Sequence, residues 1–333
     1  MFHGDIDLQT AEGIKLLRKR IEDAQIPASK LDETLNIATW NIREFGKVQR
    51  SDAAVHYIAE IVGQFDVVAI VELRDNLGDL DRVMAILGPF WRVVYSDYNT
   101  DPAGNRERIG FLYDRRAADI TGLAAEADPP RKKNPQTGEY EAAIEWWRSP
   151  YMASFIAGSY EFTLLSAHVR WGGDSSAARV PELQTLADWI DARVNEPQEK
   201  DKELILMGDF NIPDDDDATY KAITSKGLEI PDALRGEHGS NLAQDKRYDQ
   251  ILHYPKFSHT FSARGGVLDF YRNDWRSLFP AAQYPDMTKA KFTFQLSDHL
   301  PLWVQIDTWT EDEQLDELIE AKKKEPASTS PAP

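Results

Sequence analysis

The chain has 333 residues, 42% of them hydrophobic and 28% charged, with a formal charge of −18. This is an ordinary globular composition, and it excludes a wholly disordered chain, a collagen-like repeat and a coiled-coil rod. The absence of cysteine excludes a disulfide framework, thiolate zinc sites, iron–sulfur clusters and a cysteine nucleophile.

The first twenty residues lack a basic segment followed by an apolar run, so a cytoplasmic location is expected for the chain as given. A signal removed beforehand would instead mean secretion. No run approaches the ~18 apolar residues of a membrane span. Residues 8–25 are expected to form a helix, because Leu8, Ala11, Ile14, Leu17 and Ile21 recur at three- and four-residue steps and Pro27 ends the pattern. Residues 1–34 then form a helical extension docked on the main body.

From Leu35 the pattern alternates between strands and helices. LNIATWNI, DVVAIVEL, FWRVVYSD, IGFLYD, SFIAGSY, EFTLLSAHV, ELILMGDF, YDQILHY and HLPLWVQIDTW are predicted strands. DAAVHYIAEIVGQF, LDRVMAILG (capped at Gly88) and RVPELQTLADWIDARVNE are predicted helices. This gives the α/β class, and the short turn in SFIAGSYEFTLL makes part of the sheet antiparallel. Residues 126–143 and 231–247 are predicted loops. Residues 311–333 are expected to form a charged helix and a disordered tail, PASTSPAP. The body between the two extensions is 35–310.

Polar residues stand at the ends of these apolar strands: Asn41, Glu72, His168, Asp209 with Asn211, Asp249, and Asp298 with His299. Burying a carboxylate there costs several kcal/mol unless it is paired or metal-bound. One such residue is usually a cap or turn former, but six strand ends supplying Asn, Glu, His, Asp-x-Asn, Asp and Asp-His are not explained that way. Oxygen donors without cysteine suit Mg²⁺, Mn²⁺ or Ca²⁺ rather than zinc. Histidines beside carboxylates suit proton transfer near neutral pH.

The ordered set LNIATWNIREFG, VVAIVELRD, RERIGFLYD, LLSAHV, LMGDFN, YDQILHY and SDHLPLWV resembles the endonuclease/exonuclease/phosphatase superfamily, and within it the deoxyribonuclease I branch. The resemblance runs from about Leu35 to Ile306. It implies a four-layer α/β/β/α sandwich, two packed mixed sheets flanked by helices, with the site at the top between the sheets. It implies Glu72 as the main metal-binding carboxylate, with Asn41 and Asp298 around the same ion. Asp209 and Asn211 match the pair that contacts phosphate and orients the nucleophile or a second metal. His299 matches the histidine that activates water, oriented by Asp249, and His168 the second histidine, partnered by Glu107. The implied cofactor is Mg²⁺ or Mn²⁺, with Ca²⁺ as a structural or auxiliary ion. The implied activity is cleavage of a phosphodiester, with DNA as partner and a monomeric enzyme.

Three features lean toward the deoxyribonuclease I branch. They are Glu107 beside His168, Arg74 two residues after Glu72, and Arg43 and Arg148 near the phosphate backbone. A guanidinium at Arg74 suits a narrow, electronegative minor groove; a plain ion pair is the competing role. Val71 departs from the glutamine usual before the metal glutamate. Arg170 and Trp171 suit phosphate contact and stacking, but a Trp that caps the core is the preferred reading for Trp171. Asp214–Asp217 reads as helix-capping chemistry rather than a cation site. Arg131, Lys132 and Lys133 read as a solvated charged loop. The acidic balance argues against a strongly basic footprint, but a few arginines and a metal suffice to cover phosphates locally. Two other functions share the pattern: a phosphoesterase for a lipid headgroup, inositol phosphate or small ester, and a silent binding module. Phe270, Tyr271 and Trp275 are the candidates for the exposed apolar loop a membrane-acting enzyme would need.

Overall fold

The computed structural model describes residues 1–98, 105–143, 146–173, 175–199, 203–236, 239–255 and 260–324. The elements in chain order are α1 (Leu8–Asp23), β1 (Thr34–Phe45), α2 (Asp52–Val62), β2 (Val67–Leu73), α3 (Gly78–Leu87), β3 (Trp91–Tyr95), β4 (Arg108–Asp114) and β5 (Asp119–Glu126). There follow β6 (Arg131–Lys133), β7 (Tyr140–Ala142), β8 (Tyr151–Ala157), β9 (Tyr160–His168), α4 (Val180–Val194), β10 (Leu204–Asp209) and α5 (Ala218–Ile223). The last are β11 (Asp249–His253), β12 (Phe261–Val267), α6 (Lys289–Gln295), β13 (Leu302–Asp307) and α7 (Glu311–Lys324).

The strands form two main sheets, ordered β12-β13-β1-β2-β4-β3 and β11-β10-β9-β8-β5. Each contains a parallel pair, β1–β2 in the first and β9–β10 in the second. Their crossovers contain α2 and α4, as parallel neighbours require. Alternation along β1 decides the layering. Leu35 and Ile37 enter the core between the sheets, whereas Ala38, Trp40 and Ile42 enter a second core under the helices. Leu183, Leu186, Ile190 and Val194 of α4 cover the outer face of the second sheet. The architecture is therefore helix, sheet, sheet, helix.

Helix α1 starts at Asp7, whose carboxylate accepts from the Thr10 amide at 2.7 Å. Its stripe of Ile14, Leu17 and Ile21 is buried in the helix-side core with α2. Arg20 of α1 is 5% exposed and donates to the carbonyls of Phe270 and Tyr271.

Several expectations are corrected. Residues 126–143 are not simply a loop, since they contain the β6–β7 hairpin. Its three-residue, fully exposed strands are too short to carry an alternating pattern. Strands β5 and β12 carry no legible pattern because both are interrupted by glycine and largely uncovered. Phe270 and Tyr271 form no exposed apolar loop: they are 0% and 2% exposed, packed near Trp40 and Phe292. The capping reading of Asp214–Asp217 holds: Asp217 caps α5 by accepting from the Thr219 amide, and Asp215 pairs with Arg247. The tail PASTSPAP lies outside the described residues. Among the described residues no helix is long and apolar enough to cross a membrane.

Candidate active site

Strand register builds the first half of the site. Asp249 of β11 pairs with Asp209 of β10, and Asp209 pairs with His168 of β9. The three side chains therefore stand in one row across the second sheet, about 4.8 Å between strands. Just before the row, β9 and β10 approach closely at Gly208. A Cβ there would lie 2.1 Å from the Ala167 carbonyl oxygen, and φ is +137°. Only glycine meets both demands.

The first sheet supplies the other half. Asn41 lies on the inter-sheet side of β1, two residues beyond Thr39, and is 1% exposed. Plain alternation would send Glu72 toward the helices, as it does Val68 and Ile70. Instead Glu72 has φ +62°, and the β2 register slips between Ile70 and Leu73. The irregularity re-aims the carboxylate, a recurrent use of bulges next to active sites. Glu72 Oε1 then accepts from Asn41 Nδ2 at 2.9 Å, and its Oε2 accepts from the Glu44 amide at 2.7 Å. Val71 remains on the inter-sheet core side, fully buried.

Contacts across the sheets complete the cluster. Asn41 Nδ2 also donates to Asp209 Oδ2 at 3.0 Å. His299 Nδ1 lies 2.7 Å from Asp249 Oδ2, and His168 Nδ1 lies 2.9 Å from Glu107 Oε2. The Nε2 atoms of both histidines lie 3.8 Å from the same Asp209 oxygen. Two carboxylate-backed imidazoles thus flank one buried carboxylate. Asn211, with φ +53°, takes its amide to Asp209 Oδ1 and donates Nδ2 to the Val169 carbonyl at 2.8 Å.

Burial works against a charged His299, but Asp249 and Asp209 outweigh it and lift the imidazole to about 10. Burial raises Asp249 as well, so the pair holds its proton tightly. Burial and Arg148 oppose protonation of His168, yet Glu107 and Asp209 raise it overall. Glu107 goes the other way: against burial, His168, Arg148 and Arg74 hold it at about 2.

The sequence profile of the Endonuclease/Exonuclease/phosphatase family matches residues 38–299. The chain belongs to this family. It is 29% identical over 296 residues to a deoxyribonuclease of Thioalkalivibrio sp. (strain K90mix), covering 84% of this chain and 72% of that protein. It is 27% identical over 190 residues to deoxyribonuclease-1 of Rattus norvegicus, covering 55% of this chain and 62% of that protein. The fold matches a mannosyl-6-phosphatase of Bacteroides thetaiotaomicron with a TM-score of 0.52 at 18% identity, over 82% of this chain and 99% of that one. Family membership makes the chain a phosphoester hydrolase.

The family generally uses a divalent metal, and the residues present fit one. Asn41 Oδ1 and Asp249 Oδ1 are buried and lack a hydrogen-bond partner. Glu72 and Asp209 converge on the Asn41 amide, and with that amide turned to present Oδ1 the three would form an oxygen-only set suited to a hard cation. Asp209, Asp249 and His299 also bring one donor each within 4.8 Å. That trio suits metal less well, because its imidazole is already held by its carboxylate. Asp298 has another partner: its carboxylate is 3.1 Å from Arg43.

The arginines are largely engaged. Arg43 also donates to Thr293 Oγ1 at 2.6 Å and lies over the Phe294 ring. Arg148 Nε lies 2.7 Å from Glu107 Oε2, and Arg74 Nη1 lies 3.3 Å from Glu107 Oε1. Arg170 stacks over Trp147 at 3.8 Å. Trp171 does not cap the core; it is 41% exposed.

Sequence reasoning missed Ser297 and Trp40. Ser297 Oγ donates to the Asn41 carbonyl at 2.6 Å and accepts from the His299 amide at 3.0 Å. Trp40 Nε1 donates to the His299 carbonyl at 2.9 Å. Together they tie the His299 loop to the end of β1. The only available signal was the motif position of Ser297 beside Asp298 and His299.

Proposed function

We propose that this hydrolase is a divalent-metal-dependent phosphodiesterase that cuts DNA internally, with Glu72, Asn41 and Asp209 as the metal-holding set. The observation that carries the reading is the pair of carboxylate-backed histidines, each with Nε2 3.8 Å from Asp209 Oδ2. Such a pair supplies one proton acceptor and one proton donor on either side of a single reacting centre. The deoxyribonuclease relatives support DNA as the substrate.

Asp249 holds Nδ1 of His299 and leaves Nε2 turned to the site. In the reaction, Nε2 takes a proton from water as the water oxygen bonds to phosphorus in line with the leaving oxygen. The P–O3′ bond breaks, and His168, held by Glu107, gives a proton to O3′. The products are a 5′-phosphate and a 3′-hydroxyl, and proton exchange with solvent resets both imidazoles. A divalent cation, when bound, neutralises phosphate charge and offsets the carboxylate field that otherwise keeps His299 protonated.

A phosphoesterase for a small ester is the second reading. One observation favours it: Arg43, Arg74 and Arg148 all face carboxylates, which leaves few cations for a long polyanion. Supercoiled plasmid with Mg²⁺ or Mn²⁺ separates the two. Relaxed circles are expected, absent with EDTA and reduced about 10²–10⁴-fold by His299→Ala. Intact plasmid alongside hydrolysis of p-nitrophenyl phosphate would favour the small ester.

A further inference from the structure

Beyond His299 the site wall continues in aromatic side chains. The Tyr248 ring lies 5.8 Å from the His299 ring, and the Trp171 ring lies 5.7 Å from Tyr248 at 83°. Trp171 is 41% exposed, yet it is not a loose side chain. Arg179, 2% exposed, donates to the Trp171 carbonyl and sets its guanidinium 4.6 Å from the Trp171 ring centre. The chain leaves Trp171 through Gly172 and Gly173, with φ +68° and +105°, a path that side-chain-bearing residues rarely take. A buried cation therefore fixes a partly exposed indole at the rim of the catalytic cluster. Among the described residues Arg179 has no carboxylate within ion-pair distance, its burial is costly, and the arrangement it maintains leaves apolar indole surface in water.

We propose that Trp171, held by Arg179 and backed by Tyr248, is a stacking wall for a nucleobase next to the phosphate at His299. The inference rests on the nucleic-acid reading of the site and deepens it. Base faces in an intact duplex are covered by their neighbours, so an indole rim selects strands whose bases are free: single-stranded, frayed or locally unpaired DNA. Stacking of this kind tolerates any base sequence. Trp171 contacts neither the reacting atoms nor the metal-holding residues, so its contribution is to substrate affinity.

The test compares two labelled ligands by fluorescence anisotropy in Mg²⁺. One is a ten-nucleotide oligothymidylate with phosphorothioate linkages, which resist hydrolysis. The other is the same backbone with tetrahydrofuran units in place of nucleosides, so that it has charge but no bases. Wild-type protein should bind the base-bearing strand about tenfold more tightly. Trp171→Ala should remove that preference while leaving affinity for the base-free strand unchanged, and Trp171→Phe should retain most of it. Equal weakening of both ligands by Trp171→Ala would mean the residue only shapes the loop, and would overturn the proposal. So would an unchanged preference, or a wild-type protein that binds neither strand. Plasmid cutting with unaltered binding by Trp171→Ala sinks this inference alone; absence of both cutting and binding sinks the DNA reading with it.

Discussion

Glu107 shows how a single side chain holds several others in place. His168, Arg148 and Arg74 converge on it and hold it at about 2 despite its burial. A carboxylate whose folded pKa is depressed stabilises the native state above its unfolded value of 4.5, and that contribution is lost as pH falls toward about 2. Glu107→Gln strands buried cations, so a loss of roughly 3–5 kcal/mol is expected at pH 7 in urea unfolding. The gap to wild type should close as the pH is taken from 4.5 toward 2. An unchanged gap at low pH would show that ion pairing is not its source. Asn41, Glu72, His168, Asp209 and Asp249 were legible in the sequence because a polar group at the end of an apolar strand needs a reason. The bridging role of Ser297 was not, because its partner Asn41 is 256 residues away and nothing local encodes the meeting.

Elements were legible where burial is two-sided or periodic. Strands β2, β9 and β10 are apolar runs because both faces are covered. Edge strands β5 and β12 were not legible, since an uncovered face imposes no pattern. Helix α1 falls between the two cases, because its apolar stripe was readable but the role of Gly13 was not. A Cβ at Gly13 would sit 1.7 Å from the Tyr57 hydroxyl, which is fully buried and donates to the Leu278 carbonyl. Helix propensity alone predicts that Gly13→Ala stabilises by up to about 1 kcal/mol. Overpacking of a filled core costs about 1–3 kcal/mol and should win. Calorimetry should therefore show Gly13→Ala melting a few degrees lower. A higher melting point would mean that α1 can shift on α2 without loss.

At the scale of the molecule, charge and substrate are set against each other. The chain carries −18, and the arginines near the site mostly face carboxylates. Only about one or two phosphates are therefore expected to be neutralised, which gives a logarithmic salt slope of about −1 to −2 for DNA binding. A slope steeper than about −5 would reveal a cationic surface elsewhere. The composition showed this imbalance at once, but which arginines are occupied depends on side chains meeting across the fold. The cluster itself is divided between the sheets: Asn41 reaches Asp209, His299 reaches Asp249, and Glu107 reaches His168. Its members run from residue 41 to residue 299 of the 333. During synthesis, a ribosome must therefore deliver every residue through His299 before both carboxylate-backed histidines are in place. A copy cut short before His299 lacks one of the two proposed proton-transfer groups and is expected to be inactive, so a cell making this hydrolase is shielded from chains released early.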